Sequence, residues 1–279
     1  MARRKKGRLV HGWLNLDKPV GMTSTQAVGA VRRAFDARKA GHAGTLDPLA
    51  TGILPIALGE ATKTVPYAVD GQKSYCFTVR WGAESDTDDA EGRITRTSEL
   101  RPDRAAVEAL LPAFTGEISQ VPPAFSAIKV DGNRAYDLAR SGETVVLEAR
   151  SAQIDRLELM DMPDRDTAVF EADCGRGTYV RALARDMGRA LGCLGYLIAL
   201  RRTRVAGFGE AEAVSMETLQ EAAKAGPEEL ERLLLPIEAA LNELAALAVG
   251  QNDAARLLRG QAVLIRGRDA PMGGGATYA

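Results

Sequence analysis

The chain has 279 residues, 46% of them hydrophobic and 26% charged, with a formal net charge of −1. That is an ordinary globular composition with enough apolar material for a sizeable core. Three cysteines (Cys76, Cys174, Cys193), none in a CxxC pair, and only two histidines (His11, His42) argue against a disulfide framework, a structural zinc site or a His-rich metal centre. No stretch approaches the roughly 20 apolar residues of a membrane span.

The basic start (Arg3, Arg4, Lys5, Lys6, Arg8) leads into a stretch cut by His11, Asn15 and Asp17. It lacks the apolar core of a signal peptide, so the sequence reads as cytoplasmic. Residues 12–17 (GWLNLD) read as a strand ending at Lys18-Pro19, and Thr23-Ser24 can cap a helix to about Phe35, with Val28, Val31 and Phe35 on one face. Next comes Gly41-His42-Ala43-Gly44-Thr45-Leu46-Asp47-Pro48-Leu49-Ala50-Thr51-Gly52, where three glycines bracket one carboxylate. Glycine permits tight backbone and the close approach of a ligand, and Pro48 biases Asp47 toward extended backbone. The expected result is a loop presenting a single acid. Such an acid can be a nucleophile, a general base or a helix N-cap, and on local grounds Asp-Pro is also simply a turn.

Ile53 to Leu58 is a short apolar strand in which Pro55 suggests an edge or bulge position, and Glu60 to about Val69 reads as a helix. Lys73 to Trp81 alternates, with Tyr75, Phe77, Val79 and Trp81 facing one way, as a half-buried strand does. The acidic segment after it reads as a loop. Pro102 to Phe114 is helical, with Val107, Leu110, Leu111 and Phe114 on one stripe. Val121-Pro122-Pro123 is a rigid turn, Phe125 to Val130 a strand, and Asn133 to Arg140 a short helix. Val145 to Met160 and Thr167 to Cys174 are strand-like, Thr178 to Leu191 is a helix, and Leu194 to Phe208 is an arginine-rich strand. Two acidic helices follow, broken at Gly226-Pro227. From Gly250 come a short helix, a β-like Ala262-Val263-Leu264-Ile265 and a glycine-rich tail. Several strand pairs are hairpin-like and do not alternate with helices, which favours α+β with a mixed sheet.

Charge is unevenly spread. Between Cys174 and Arg204 there are seven arginines (176, 181, 185, 189, 201, 202, 204) against one acid, Asp186, while acids gather at Glu84–Glu91 and Glu217–Glu243. Such asymmetry can mark a polyanion-binding face on a neutral protein, or simply a solvated helix face. Three cofactor motifs fail. Gly175-Arg176-Gly177-Thr178-Tyr179-Val180 lacks the third glycine of a dinucleotide fingerprint. Gly59-Glu60-Ala61-Thr62-Lys63-Thr64 has Thr62 where a phosphate loop needs glycine. The run around Gly92 has Thr87 and Ser98 where a calcium loop needs acids. A Ser-His-Asp hydrolase would have only His42 as a local base and no nucleophile-elbow serine.

Asp47 does have company. Asp17-Lys18-Pro19-Val20-Gly21-Met22-Thr23-Ser24, the Asp47 loop, Lys73-Ser74-Tyr75 and Gly177-Thr178-Tyr179-Val180-Arg181-Ala182-Leu183 follow one another in order. Pro122-Pro123-Ala124-Phe125-Ser126-Ala127-Ile128-Lys129, Tyr136 and Leu200-Arg201-Arg202 extend the pattern. Over about residues 10–245 these motifs resemble the TruB family of tRNA pseudouridine synthases. The resemblance implies the pseudouridine synthase fold: α+β, with a mixed, largely antiparallel sheet of eight strands and a central catalytic cleft flanked by helices. It also implies isomerisation of uridine at position 55 in the T loop of tRNA, in which the N1–C1′ bond breaks and the base reattaches through C5, without cofactor or metal.

Carried over residue by residue, Asp47 is the nucleophile, with attack at C1′ or at C6 left open. Tyr75 stacks on the base, which must be flipped out of folded RNA, though the same alternation would suit a core tyrosine. Arg181 pairs with Asp47 and keeps it ionised and aimed. The substrate-binding set is completed by His42, which enters the T loop beside the departed base, by Tyr179 and Leu200, which shape the pocket, by Arg201 and Arg202, and by Lys18, on a structural element beside the site. The implied partner is the T arm of tRNA, bound by a monomer. Phe125 stands where many family members have tyrosine. Bacterial members usually end in a PUA domain, so residues 1–245 read as the catalytic domain and 246–279 as an incomplete PUA-like segment. The rival reading is a tRNA-binding or tRNA-folding protein with lost or secondary catalysis, supported by the basic arm and the arginine-rich segment.

Overall fold

The structure is a computed structural model that describes residues 7–126, 128–130, 133–134 and 147–264. Its strands are β1 (Gly12–Lys18), β2 (Ala40–His42), β3 (Thr51–Leu58), β4 (Lys73–Trp81), β5 (Ala83–Ser85), β6 (Ile94–Thr97), β7 (Gly116–Gln120), β8 (Lys129–Val130), β9 (Asn133–Arg134), β10 (Arg150–Asp164), β11 (Thr167–Cys174), β12 (Gly195–Val205) and β13 (Val214–Ser215). The helices are α1 (Ser24–Ala34), α2 (Val65–Asp70), α3 (Arg104–Leu110), α4 (Val180–Ala190), α5 (Met216–Ala225), α6 (Pro227–Arg232) and α7 (Gln251–Leu257). One nine-stranded sheet runs β13-β1-β3-β12-β4-β11-β10-β7, with β2 on β3 off that path. Only the β1/β13 and β3/β12 pairs are parallel, so the sheet is mixed and largely antiparallel, as the resemblance implied.

Alternation explains the layering. On β4, Phe77 stacks on its cross-strand partner Phe170 with centroids 5.3 Å apart, and Trp81 meets Phe170 edge-on at 6.3 Å. Leu183, Ala184 and Met187 of α4 close over this face, in the same core as Leu14, Leu16, Leu54 and Ile56 and the α1 residues Ala27 and Val31. The opposite face of β1 and β3 carries Trp13, Ile53 and Ala57 into a second core with Phe208, where Trp13 and Phe208 pack at 5.1 Å. Strands buried on both faces read as continuous apolar runs, which is why Ile53 to Leu58 shows no polar alternation.

Pro55 is a correction, since β3 is an interior strand rather than an edge. Proline lacks a ladder N–H, and Pro55 sits where β3 changes neighbours on one side, from β12 at Thr51–Gly52 to β2 at Ile56–Leu58. No donor is missed in that gap. The expected helix 60–69 is a 3₁₀ turn, Gly59–Lys63, followed by α2, whose first turn holds Pro66. The helix expected to reach Phe114 stops at Leu110 and tightens into a 3₁₀ turn containing Pro112.

The acidic segment is not a plain loop, because β5 and β6 make it a hairpin. Phe125 and Ser126 lie in bends, and the strand there is only β8, paired with β9. Asn133–Arg134 are thus strand where a helix was expected. The rest of that predicted helix, with Tyr136, lies outside the described residues, as do Ala127 and Ile265. Ala262–Leu264 form no strand. The helix break at Gly226-Pro227 falls where predicted, with Gly226 at φ 131° and Pro227 opening α6.

Candidate active site

Asp47 lies on the connection between β2 and β3, in backbone held from four sides. The Ser24 hydroxyl, on the first turn of α1, donates to Leu46 O at 2.9 Å and accepts from Leu46 N at 2.8 Å. The Gly21 amide donates to Pro48 O at 2.8 Å, and the Ala50 amide to Asp47 O at 3.1 Å. Lys18, 0% exposed, directs its ammonium at Pro19 O (2.9 Å), Met22 O (2.8 Å) and Pro48 O (3.5 Å). Arg202, 2% exposed, donates to Ile53 O (2.8 Å), Gly44 O (3.0 Å) and Thr45 O (3.5 Å). Of the three bracketing glycines, two need to be glycine. Gly44 has φ 90°, and a Cβ at Gly52 (φ 97°) would lie 2.2 Å from Arg202 O.

This frame presents the Asp47 carboxylate, 37% exposed, to Arg181 across 2.9 Å (Oδ2 to Nε). Arg181 is only 6% exposed. Its remaining donors reach Thr87 O (3.0 Å) and Phe125 O (2.9 Å), and Nη1 lies 3.4 Å from Asp89 Oδ2. One guanidinium therefore faces two carboxylates. It is oriented by two carbonyls, one from the β5–β6 hairpin and one from the segment after Pro123, so its direction is set before any ligand arrives.

Tyr75 comes from β4, directly opposite Arg202 of β12. Burial raises its phenol, and the neighbouring Arg202 opposes that rise. Tyr179 is the N-cap residue of α4, with its amide donating 2.8 Å to Gln120 Oε1. Burial raises its phenol too, with Arg181 and Asp47 within electrostatic reach. His42 ends β2. Its Nδ1 is buried without a hydrogen-bond partner among the described residues, and burial, then Arg202, lowers its imidazole below the ordinary range. A neutral imidazole at pH 7 follows. Leu200 is buried opposite Phe77, in the main core.

Asp47 is thus within electrostatic reach of Arg181, Tyr75 and Tyr179, and Tyr75 and His42 share Arg202 as a neighbour. The other positions separate. Adjacent residues on a strand point to opposite faces, and Arg201 and Arg202 do so. Arg201 pairs with Asp17 (3.0 Å) and Glu210 (2.7 Å). Arg202 and Lys18 are too deeply buried to touch a macromolecule, so their expected role as RNA contacts is corrected: both hold the loop from beneath.

The arginine-rich segment is also largely occupied within the fold. Arg176 meets Asp70, Arg185 meets Asp88 and Asp186, Arg189 meets Glu84, and Arg204 meets Glu243. Acids distant in sequence neutralise it, and Arg185 is buried rather than turned toward phosphate. Burial pushes Asp88 up to about 6 even against Arg185. Sequence reasoning missed Ser24, Thr87, Asp88 and Asp89. Thr23-Ser24 reads as a helix cap; Thr23 is the N-cap, and Ser24 instead bonds the backbone of Leu46.

Burial lowers the Lys18 ammonium from 10.5 to about 8, against the opposing pull of Asp47. A lowered amine gives a definite sign. Between about pH 8 and 10.5 the unfolded chain holds more protons than the folded one, so folding stability should rise with pH across that window, by at most about 3 kcal/mol from this group. The Lys18 ¹³Cε resonance should titrate with a midpoint about 8, and a midpoint of 10.5 would show a solvated amine instead.

A model described as the TruB family pseudouridylate synthase N-terminal domain matches residues 32–180, and one for the tRNA pseudouridylate synthase B C-terminal domain matches residues 181–242. A Bradyrhizobium diazoefficiens protein named tRNA pseudouridine synthase B is 62% identical over 278 residues, 99% of this chain and 81% of its own length. A Caulobacter vibrioides protein of the same name is 57% identical over 265 residues, 95% and 85% of the two chains. Among solved structures, a chain of a Cbf5-Nop10-Gar1 complex superposes with a TM-score of 0.72 at 26% identity, covering 90% of this chain and 67% of that one. Motifs, fold and relatives agree that the chain belongs to the TruB family of pseudouridylate synthases.

Proposed function

We propose that the protein isomerises uridine to pseudouridine at position 55 in the T loop of tRNA, as a cytoplasmic monomer needing neither cofactor nor metal. The carrying observation is the Asp47–Arg181 ion pair within electrostatic reach of Tyr75. In this reading the T arm enters the cleft, the target base is flipped out and stacks on Tyr75, and His42 takes its place in the loop. Asp47 attacks C1′ or C6, the N1–C1′ bond breaks, the uracil turns within the pocket, C5 bonds to C1′, and the bond to Asp47 breaks to return its carboxylate. The proton lost from C5 and the one gained at N1 balance, so the change is an isomerisation. Tyr179 and Leu200 shape the pocket. Residues 1–245 supply the catalytic domain.

A binding-only role draws its support from the basic arm and the arginine-rich segment, and the cations of that segment are largely engaged inside the fold. The deciding experiment uses a T-arm stem-loop with 5-tritiated uridine and saturating enzyme. One tritium should be released per RNA, and replacing the target uridine by cytidine should abolish the release. Tight binding of the stem-loop without release would overturn the reading.

A further inference from the structure

Arg202 is unlike the other arginines of its segment. It is almost wholly buried, yet among the described residues it forms no ion pair with a carboxylate. A buried cation without a counter-ion is a costly arrangement that a hydrophobic residue of similar volume would avoid. Its donors are spent on backbone oxygens instead: Ile53 O on β3, and Gly44 O and Thr45 O in the loop that carries Asp47. Its cross-strand neighbour on β4 is Tyr75, whose phenol lies within electrostatic reach of the guanidinium. The site is shaped for it. Gly44 leaves room, since a Cβ there would lie 3.3 Å from Arg202 Nη1, and Gly52 lets β3 come against the Arg202 backbone.

We propose that Arg202 is a positioning residue that ties the backbone of the Asp47 loop to the phenol of Tyr75, so that nucleophile and stacking ring are held as one rigid unit. The proposal rests on the active-site reading above and adds to it. Three anchoring points set about a plane suit a guanidinium fork and do not suit an ammonium. Two groups that must meet the same nucleoside from different strands gain from a shared support, because misplacement by about 1 Å can cost 10²-fold in rate.

The test is a double-mutant cycle on the intact protein, Arg202→Lys and Tyr75→Phe, read as single-turnover conversion and as tRNA affinity. Arg202→Lys should slow conversion by about 10- to 100-fold while the tRNA Kd stays within about threefold. In the Tyr75→Phe background the same change should cost no more than about threefold, because the connection to the phenol is already gone. Additive losses, or a loss confined to affinity, would overturn the proposal in favour of plain core packing or of RNA contact. A second measurement needs neither activity nor a folded Arg202 variant. In Tyr75→Phe alone, hydrogen exchange at the amides of Gly44, Thr45 and Leu46 should accelerate about tenfold as the guanidinium loses one anchor. Unchanged protection there overturns the connection even if the protein proves active, whereas an inactive wild type with accelerated exchange would sink the functional reading alone.

Discussion

Asp47→Asn should reduce single-turnover conversion of the target uridine by about 10⁴-fold or more, with tRNA affinity within about threefold of wild type. Asparagine fills the same volume but offers no anionic oxygen to carbon. The fold should not notice the change. The loop backbone is held by Ser24, Lys18, Arg202 and the Gly21 amide, and those bonds go to residues 44, 45, 46, 48 and 53, never to the Asp47 side chain. The side chain itself is partly exposed, so its loss leaves no buried void. Thermal unfolding should shift by no more than about 2 °C. Conversion by this variant at an appreciable fraction of the wild-type rate would remove Asp47 from the nucleophile's place.

The second large effect belongs to Arg181. Arg181→Lys keeps the charge but cannot span Asp47, Asp89, Thr87 O and Phe125 O from one planar group. Conversion should fall by about 10²–10³-fold, the scale of losing one preorganised electrostatic contact. Folding should weaken by about 1–3 kcal/mol, because the carbonyls of Thr87 and Phe125 lose their donor in a dry environment. RNA binding should hardly change, since the guanidinium is buried beneath the carboxylate. A collapse of affinity at an intact rate would make Arg181 an RNA contact and leave Asp47 without its partner.

How much of this was legible in the chain differs from residue to residue. Tyr75 could be placed on a strand face because the alternation from Lys73 to Trp81 is a local property of β backbone. Thr23 could be read as a cap because its capping partner, Gln26, is three residues away. Pro55 was misread because an edge strand and a change of neighbour within a sheet both forgive a missing N–H, and only the strand order distinguishes them. The seven arginines were misjudged for a related reason. For Arg185, Arg189 and Arg204 the counter-charges at Asp88, Glu84 and Glu243 are 39 to 105 positions away in sequence, and a one-dimensional count treats those separations as segregation.

The sequence by itself determined which groups could carry the chemistry: one loop with a lone carboxylate, an arginine opening a helix and a tyrosine on a strand, in an order that a family shares. It determined the class of the fold as well, because periodicity and turn residues act over a few neighbours. The tertiary structure decided what each cation does. Arg201 and Arg202 are neighbours in the chain, yet alternation on β12 sends one to Asp17 and Glu210 and the other beneath the Asp47 loop. Charge acts through distance and through the medium between the groups, and both are set by which strands lie side by side and which face is closed, quantities that exist only once the chain has folded.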